Sequence, residues 1–134
     1  MLKTFKIFAI LFGLAFIPVV QGQTLQNQNP TGMTMDDLHQ ITTAHKLVLV
    51  EFFATWCGPC KIVAPIVDDV KKQMGDSFVL IKIDIDANPI LKNAYRIDEI
   101  PYLMLFKNGN IEWNGIGMTT KEMLFEEMMK EVKE

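Results

Sequence analysis

The chain has 134 residues, a net charge of −3 at pH 7 and only two cysteines. This length supports one compact domain with a single hydrophobic core and is too short for two typical domains. The acidic balance gives the chain no electrostatic reason to bind nucleic acid or an anionic membrane surface.

Residues 1–22 have the features of a secretory signal peptide. Lys3 and Lys6 form a short positive region, and the 14 residues of 7–20 follow as an uncharged apolar run that is too short to span a bilayer comfortably. We expect cleavage after Gly22, and an uncleaved N-terminal anchor is the alternative because no alanine stands at the cleavage position. Cleavage leaves 112 residues with 11 basic and 16 acidic side chains, a net charge of −5.

Residues 23–33 are rich in Gln, Asn, Thr and Gly and lack apolar periodicity. This composition predicts a flexible lead-in, with a marginal edge strand near residues 24–26. No internal repeat or second linker follows, so we expect residues 34–134 to form one folded domain.

Hydrophobic periodicity and turn residues predict seven features in chain order: a helix over 34–44, a strand over 47–53, a helix over 59–74, a strand over 78–85, a short helix over 88–95, a hairpin over 102–116 and a helix from 119. The strand over 47–53 is apolar on both alternating sets except at Glu51, which is typical of a central strand covered on both faces. Asn108 and Gly109 between apolar runs predict the hairpin turn. The pattern therefore indicates an α/β fold, with a central mixed sheet flanked by helices.

Two helices carry more detailed expectations. In the helix over 59–74, an inward stripe is predicted that includes Ile62 and Val63, with a kink at Pro65. Thr119, with Glu122 three residues later, predicts the cap of the last helix.

Cys57 and Cys60 are the candidate catalytic residues. A structural disulfide between them closes so small a loop that it adds little stability, which makes chemistry the better explanation. Cys57 follows the central strand and stands near a helix N-terminus, where free N–H groups and the helix dipole favour a thiolate. We expect its pKa to lie below the free value of about 8.5, and Cys60 to be more buried and less acidic.

A zinc site is the alternative use of two cysteines at this spacing. Zinc usually takes four ligands, and the other soft candidates, His39 and His45, lie upstream without a recognised spacing. We interpret both histidines as ordinary surface residues and expect neither a metal nor an organic cofactor.

Several separated motifs resemble the thioredoxin family: the segment WCGPCK from Trp56 to Lys61, Pro65, Lys82 with Asp84 in KIDIDANP, Ile100 with Pro101, FKNG from Phe106 to Gly109, and Gly117. The resemblance extends from about residue 34 to the end of the chain. It implies a thioredoxin fold and thiol–disulfide oxidoreductase chemistry.

The resemblance also implies a substrate groove beside the cysteines. It implies a cis peptide bond between Ile100 and Pro101 that faces the cysteine pair, the alternative being a trans proline that opens a strand. The backbone of Ile100 is then available to pair with a substrate peptide like an added strand. The residues assigned to substrate binding are Trp56, Gly58, Pro59, Ile100 and Pro101.

Glu51 stands where thioredoxins usually carry an aspartate. Its apolar neighbours predict desolvation, which raises the pKa of a carboxyl group toward neutrality. Such a group is suited to exchange a proton with Cys60, and Lys82 on the neighbouring strand is its expected partner. The alternative is a glutamate exposed at the edge of the sheet that has no catalytic role.

Gly58 and Pro59 between the cysteines, and Ile100 before the proline, resemble reducing rather than oxidising members of the family. We therefore expect a monomeric, periplasmic or otherwise extracytoplasmic protein-disulfide reductase. Its expected partners are disulfide-containing proteins and a membrane thiol–disulfide carrier as electron donor, with no nucleic acid and no membrane association in the mature form. The alternatives are an oxidant of secreted proteins, or a non-catalytic binding module, against which the two cysteines argue.

Asp98 and Glu99 precede the proposed groove, where the thioredoxin pattern commonly has a basic residue and a glycine. Two negative charges at this position are expected to change partner choice and encounter rate.

Overall fold

A computed structural model of the protein describes residues 32–133. The expected signal peptide, its cleavage after Gly22, and the lead-in with its marginal strand fall on residues 1–31, apart from the last two lead-in positions, and so lie outside the described residues. Within residues 32–133, no helix is long and apolar enough to cross a membrane.

Helices and strands alternate as the sequence predicts. Along the chain lie α1 (Met35–Ala44), β1 (Leu47–Phe53), α2 (Gly58–Met74), a 3₁₀ turn (Gly75–Ser77), β2 (Val79–Asp84), α3 (Pro89–Ala94), β3 (Tyr102–Lys107), β4 (Asn110–Ile116) and α4 (Lys121–Lys133). The strands form one mixed sheet in the order β2-β1-β3-β4, with β1 parallel to β2 and antiparallel to β3. The thioredoxin fold expected from the resemblance is confirmed.

β1 is the strand on which the site is built. Residues 47–52 are all buried, because helices cover both faces of the sheet and a strand lies on each side. Side chains alternate along a strand, so Val48, Val50 and Phe52 share one face while Leu47, Leu49 and Glu51 share the other. The chain leaves the carboxyl end of β1 in the middle of the sheet and enters α2 there.

The two faces carry separate apolar cores. One core contains Val50, Phe52, residues of α1 and α3, and both cysteines. The other contains Leu47 and Leu49, packed against one face each of α2 and α4. Glu51 therefore lies on the side of the sheet that α2 and α4 cover.

The β3–β4 hairpin has the turn that the sequence predicts. Asn108 and Gly109 both have positive φ values, 50° and 85°, which a two-residue turn of this hand requires. A Cβ atom at Gly109 would lie 2.7 Å from Thr43 Cγ2, so glycine is also needed for close packing against α1.

Two detailed expectations were wrong. Ile62 is 55 % exposed, because the buried stripe of α2 is centred on Val63 and Val67 and leaves Ile62 about 100° away around the helix. The cap of α4 is Thr120 rather than Thr119, since Thr120 Oγ1 accepts a hydrogen bond from the Met123 N–H at 3.2 Å. The cap therefore lies one residue later than predicted, and the helix itself begins at Lys121.

Candidate redox-active site

Cys57 is the N-cap residue of α2. Its backbone is extended (φ −76°, ψ 108°), and its Sγ accepts a hydrogen bond from the Cys60 N–H at 3.1 Å. Pro59 in the first turn has no N–H of its own and fixes a helical φ, so the turn is formed from residues that suit a helix start. The sulfur atom thus occupies the position that a capping oxygen takes in other helices.

Cys57 and Cys60 are joined by a disulfide, with their Cα atoms 5.3 Å apart. Each residue is 3 % exposed, so the expected difference in burial is not seen in the oxidised pair. The bond draws both sulfur atoms into the same helical turn. We expect that, when the pair is reduced, the Cys60 N–H and the dipole of α2 stabilise the thiolate of Cys57 relative to the thiolate of a free cysteine.

A cis peptide bond faces the disulfide. The bond between Ile100 and Pro101 is cis, as the resemblance implies, and Cys57 Sγ lies 3.9 Å from the Ile100 carbonyl oxygen. Pro101 is buried, and its carbonyl oxygen accepts a hydrogen bond from the Gly117 N–H at 2.8 Å. This contact fixes the loop before β3 to the end of β4, beside the cysteine pair.

Trp56 forms an exposed rim at the site. Its side chain is 67 % exposed, and its indole Nε1–H donates a hydrogen bond to Asp86 Oδ2 at 2.7 Å. Gly58 and Pro59 are exposed next to it. Sequence analysis missed Asp86, although it lies in the KIDIDANP segment that carried part of the resemblance.

Glu51 is a buried acid. It is 1 % exposed, and neither of its carboxylate oxygens has a hydrogen-bond partner among the described residues. Lys82 pairs with it across β1 and β2, with Nζ 3.6 Å from Glu51 Oε2, which is longer than a hydrogen bond. An edge-exposed glutamate is therefore not what the structure contains.

Burial raises the pKa of Glu51 above its usual value, and the nearby Lys82 ammonium opposes this rise. The carboxylate of Asp68 adds to the rise. Asp68 lies on α2, with Oδ1 2.6 Å from Lys82 Nζ, and was not among the residues that sequence analysis selected.

Within residues 32–133, no group of three or more His, Cys, Asp or Glu side chains is placed to hold a metal ion. His39 is exposed on α1, and His45 is half-buried just after it. Asp98 and Glu99 are both exposed immediately before the cis bond.

A cysteine pair in the first turn of a helix, with one sulfur atom next to the Ile100 carbonyl oxygen, is suited to exchange bonds with the disulfide of another molecule once it is reduced, because the thiolate is the attacking group. The fold and the site together define a thiol–disulfide oxidoreductase of the thioredoxin type. The sequence model of the family described as Thioredoxin matches residues 32–130. The chain belongs to the thioredoxin family.

Curated relatives agree with this assignment. The chain is 40 % identical over 85 residues to a thioredoxin of Rickettsia typhi, covering 63 % of this chain and 81 % of the relative. It is 36 % identical over 91 residues to a thioredoxin of Bacillus subtilis, covering 68 % and 88 %.

Solved structures agree as well. The N21Q mutant thioredoxin of Halobacterium salinarum superposes with a TM-score of 0.68 at 29 % identity, covering 75 % of this chain and 87 % of that one. Oxidised thioredoxin of Plasmodium falciparum superposes with a TM-score of 0.65 at 29 % identity, covering 76 % and 94 %.

The buried acid gives a prediction about stability and pH. The pKa of Glu51 is higher in the folded than in the unfolded chain, so its ionisation destabilises the fold. This destabilisation is absent below the usual value of 4.5, grows as the pH rises above it, and is complete above the folded-state pKa. Each pH unit that separates the two midpoints corresponds to about 1.4 kcal/mol of unfolding free energy.

Glu51→Gln should therefore increase the free energy of unfolding at pH 7 to 8 and lose this advantage as the pH falls toward about 4. Urea unfolding at a series of pH values measures the difference, with Glu112→Gln on the exposed side of β4 as control. An advantage that is the same at every pH would show that ionisation of Glu51 does not act on stability.

Proposed function

We propose that this member of the thioredoxin family is exported and reduces the disulfides of proteins outside the cytoplasm. The observation that carries the reductase activity is the position of Cys57 Sγ, at the N-cap of α2 and 3.9 Å from the Ile100 carbonyl oxygen. Export is supported by the sequence of residues 1–22, where two lysines precede an apolar run.

In the first step, the thiolate of reduced Cys57 attacks one sulfur atom of a substrate disulfide. The substrate S–S bond breaks, one half leaves as a thiolate, and the other half remains bonded to Cys57 as a mixed disulfide. The N-cap position supports this step because the Cys60 N–H already points at Cys57 Sγ.

In the second step, Cys60 attacks Cys57 Sγ and displaces the remaining substrate half as a thiolate. Cys60 must first lose its proton, and we propose that Glu51 accepts it, with Lys82 as the partner of the carboxylate. Two electrons pass to the substrate, and the protein is left with the Cys57–Cys60 disulfide of the present structure.

Substrate docking is proposed at the loop before β3. The Ile100 backbone faces Cys57 Sγ, and an extended peptide can pair with it in the manner of an added strand. Trp56, Gly58, Pro59 and Pro101 surround this position, and the hydrogen bond to Asp86 fixes the orientation of the exposed indole.

The proposed electron donor is a membrane thiol–disulfide carrier, because cytosolic reductases do not reach an exported protein. The mature form acts as a monomer that associates neither with nucleic acid nor with a membrane. Its acidic balance, with 11 basic and 16 acidic residues after residue 22, supports this.

Replacing each cysteine by serine should impair disulfide reduction at a different step. Cys57→Ser removes the attacking thiolate and should abolish disulfide reduction. Cys60→Ser removes only the resolving thiol and should accumulate mixed disulfides through Cys57. Insulin reduction and non-reducing electrophoresis measure the two effects, and equal residual turnover in both variants would contradict the assigned roles.

The reduction potential separates a reductant from an oxidant. We expect a value near that of thioredoxin, about −270 mV, rather than near the strong oxidant at about −120 mV. Equilibration of the full-length chain against glutathione buffers gives the potential directly. A value above about −180 mV, the range of protein disulfide isomerase, would favour an oxidant of secreted proteins.

The exposed acids before the cis bond should select partners by charge. Asp98→Arg is expected to slow reduction of basic disulfide peptides and to speed reduction of acidic ones, with a difference that shrinks as salt is added. Glu112→Arg makes the same charge change near the Phe106 end of β3, away from Pro101, and is the matched control. Identical peptide preferences in the two variants would count against selection by Asp98.

A further inference from the structure

Two carboxylates compete for the ammonium group of Lys82. Asp68, 58 % exposed on α2, places Oδ1 2.6 Å from Lys82 Nζ, whereas the buried Glu51 places Oε2 at 3.6 Å. The ammonium group therefore lies on the surface side of the cluster, in contact with Asp68 and one ångström farther from Glu51, beyond hydrogen-bond length.

The ion pair between Asp68 and Lys82 has little value for stability by itself, because pairs between partly exposed side chains contribute little to the free energy of unfolding. The ion pair matters more for where the ammonium group of Lys82 lies. An ammonium group that is free to turn inward would approach a carboxylate that lacks any hydrogen-bond partner among the described residues. In surroundings from which water is excluded, one ångström changes the attraction between two charges substantially.

We propose that Asp68 is a positioning residue, which holds the ammonium group of Lys82 at the surface and thereby keeps the proton affinity of Glu51 high enough for exchange with Cys60. This inference rests on the proposed role of Glu51 as proton acceptor. A carboxylate in close contact with Lys82 would stay ionised and would be slow to accept a proton. A carboxyl group with no cation nearby would stay protonated and would not accept one at all.

Asp68 and Lys82 are the charged groups near Glu51 that can set its proton affinity. β2 contributes Lys82 and α2 contributes Asp68, while β3 places the apolar Leu103 opposite Glu51. Cys60 in the first turn of α2 is uncharged while it is part of the disulfide. The charge of Asp68 and the burial of Glu51 both raise the pKa of Glu51, and Lys82 lowers it.

Asp68→Asn tests the proposal. Without the surface carboxylate, Lys82 can turn toward Glu51, and the titration midpoint of Glu51 should fall by about one pH unit or more. The midpoint is measured by carbon NMR of the Glu51 carboxyl group in the oxidised full-length chain, where no cysteine titrates. Asp69→Asn removes the neighbouring exposed aspartate of the same helix, which forms no ion pair with Lys82 in the described residues, and should leave the midpoint unchanged.

A second background shows whether Asp68 acts through the lysine. In Lys82→Gln, the midpoint of Glu51 should rise, and the further change Asp68→Asn should then lower it only by the smaller amount that the lost repulsion between the two carboxylates accounts for. An unchanged midpoint in Asp68→Asn, or an equal fall with and without Lys82, would overturn the proposal.

A kinetic measurement separates this proposal from the proposed role of Glu51. Reduced protein is mixed with 5,5′-dithiobis(2-nitrobenzoate), and the second phase of thiolate release reports attack by Cys60 on the mixed disulfide. The pH profile of this phase should move with the Glu51 midpoint in Asp68→Asn and stay in place in Asp69→Asn. A midpoint that moves while the profile does not would contradict proton transfer to Glu51, whereas an unmoved midpoint would contradict positioning by Asp68.

Discussion

The hydrogen bond from the Cys60 N–H to Cys57 Sγ is the contact on which the site depends. It requires Cys57 to be the residue at which the chain stops being extended and starts being helical. That position is fixed by β1, which is paired on both edges and buried on both faces, so that a shift along its neighbours would break both ladders and move Glu51 to the opposite core. The stability of the central strand is thus used to place one sulfur atom at a helix N-terminus.

The same strand carries a buried acid that destabilises the core. Glu51 occupies a position between apolar residues where a hydrophobic side chain would pack well, and it has no hydrogen-bond partner among residues 32–133. Lys82 compensates only partly, since it lies at 3.6 Å and is shared with Asp68. A buried group of this kind is costly for folding, and in the proposed mechanism the same burial suits Glu51 to accept a proton from Cys60.

Much of the fold follows from local patterns in the sequence. The order of helices and strands follows from the change between helical and strand periods of hydrophobicity and from the Asn108–Gly109 turn. The burial of Glu51 follows from its apolar neighbours. Two details were wrong because a local pattern does not contain the final packing. Ile62 lies next to the buried stripe of α2 and remains exposed, and Thr120 rather than Thr119 caps α4 although only Thr119 has an acid three residues later. The cis bond followed from family resemblance, because the residues alone permit either isomer.

The contacts that sequence analysis missed join elements that are distant along the chain. Asp86 meets Trp56 from the loop after β2, and Asp68 meets Lys82 from α2. Each aspartate has another acid within two residues, so no local pattern distinguishes it. Only the register of the sheet and the orientation of α2 bring these side chains to the site.

The central claim, that the start of α2 makes Cys57 the nucleophile, is tested most directly by the pH dependence of alkylation. The reduced full-length chain is treated briefly with iodoacetamide at a series of pH values, and the two cysteines are quantified separately by mass spectrometry. The account predicts that Cys57 reacts as a thiolate well below the midpoint of a free cysteine, about 8.5, and that Cys60 reacts far more slowly. Equal rates at both residues, or a midpoint for Cys57 at or above that of a free cysteine, would contradict it.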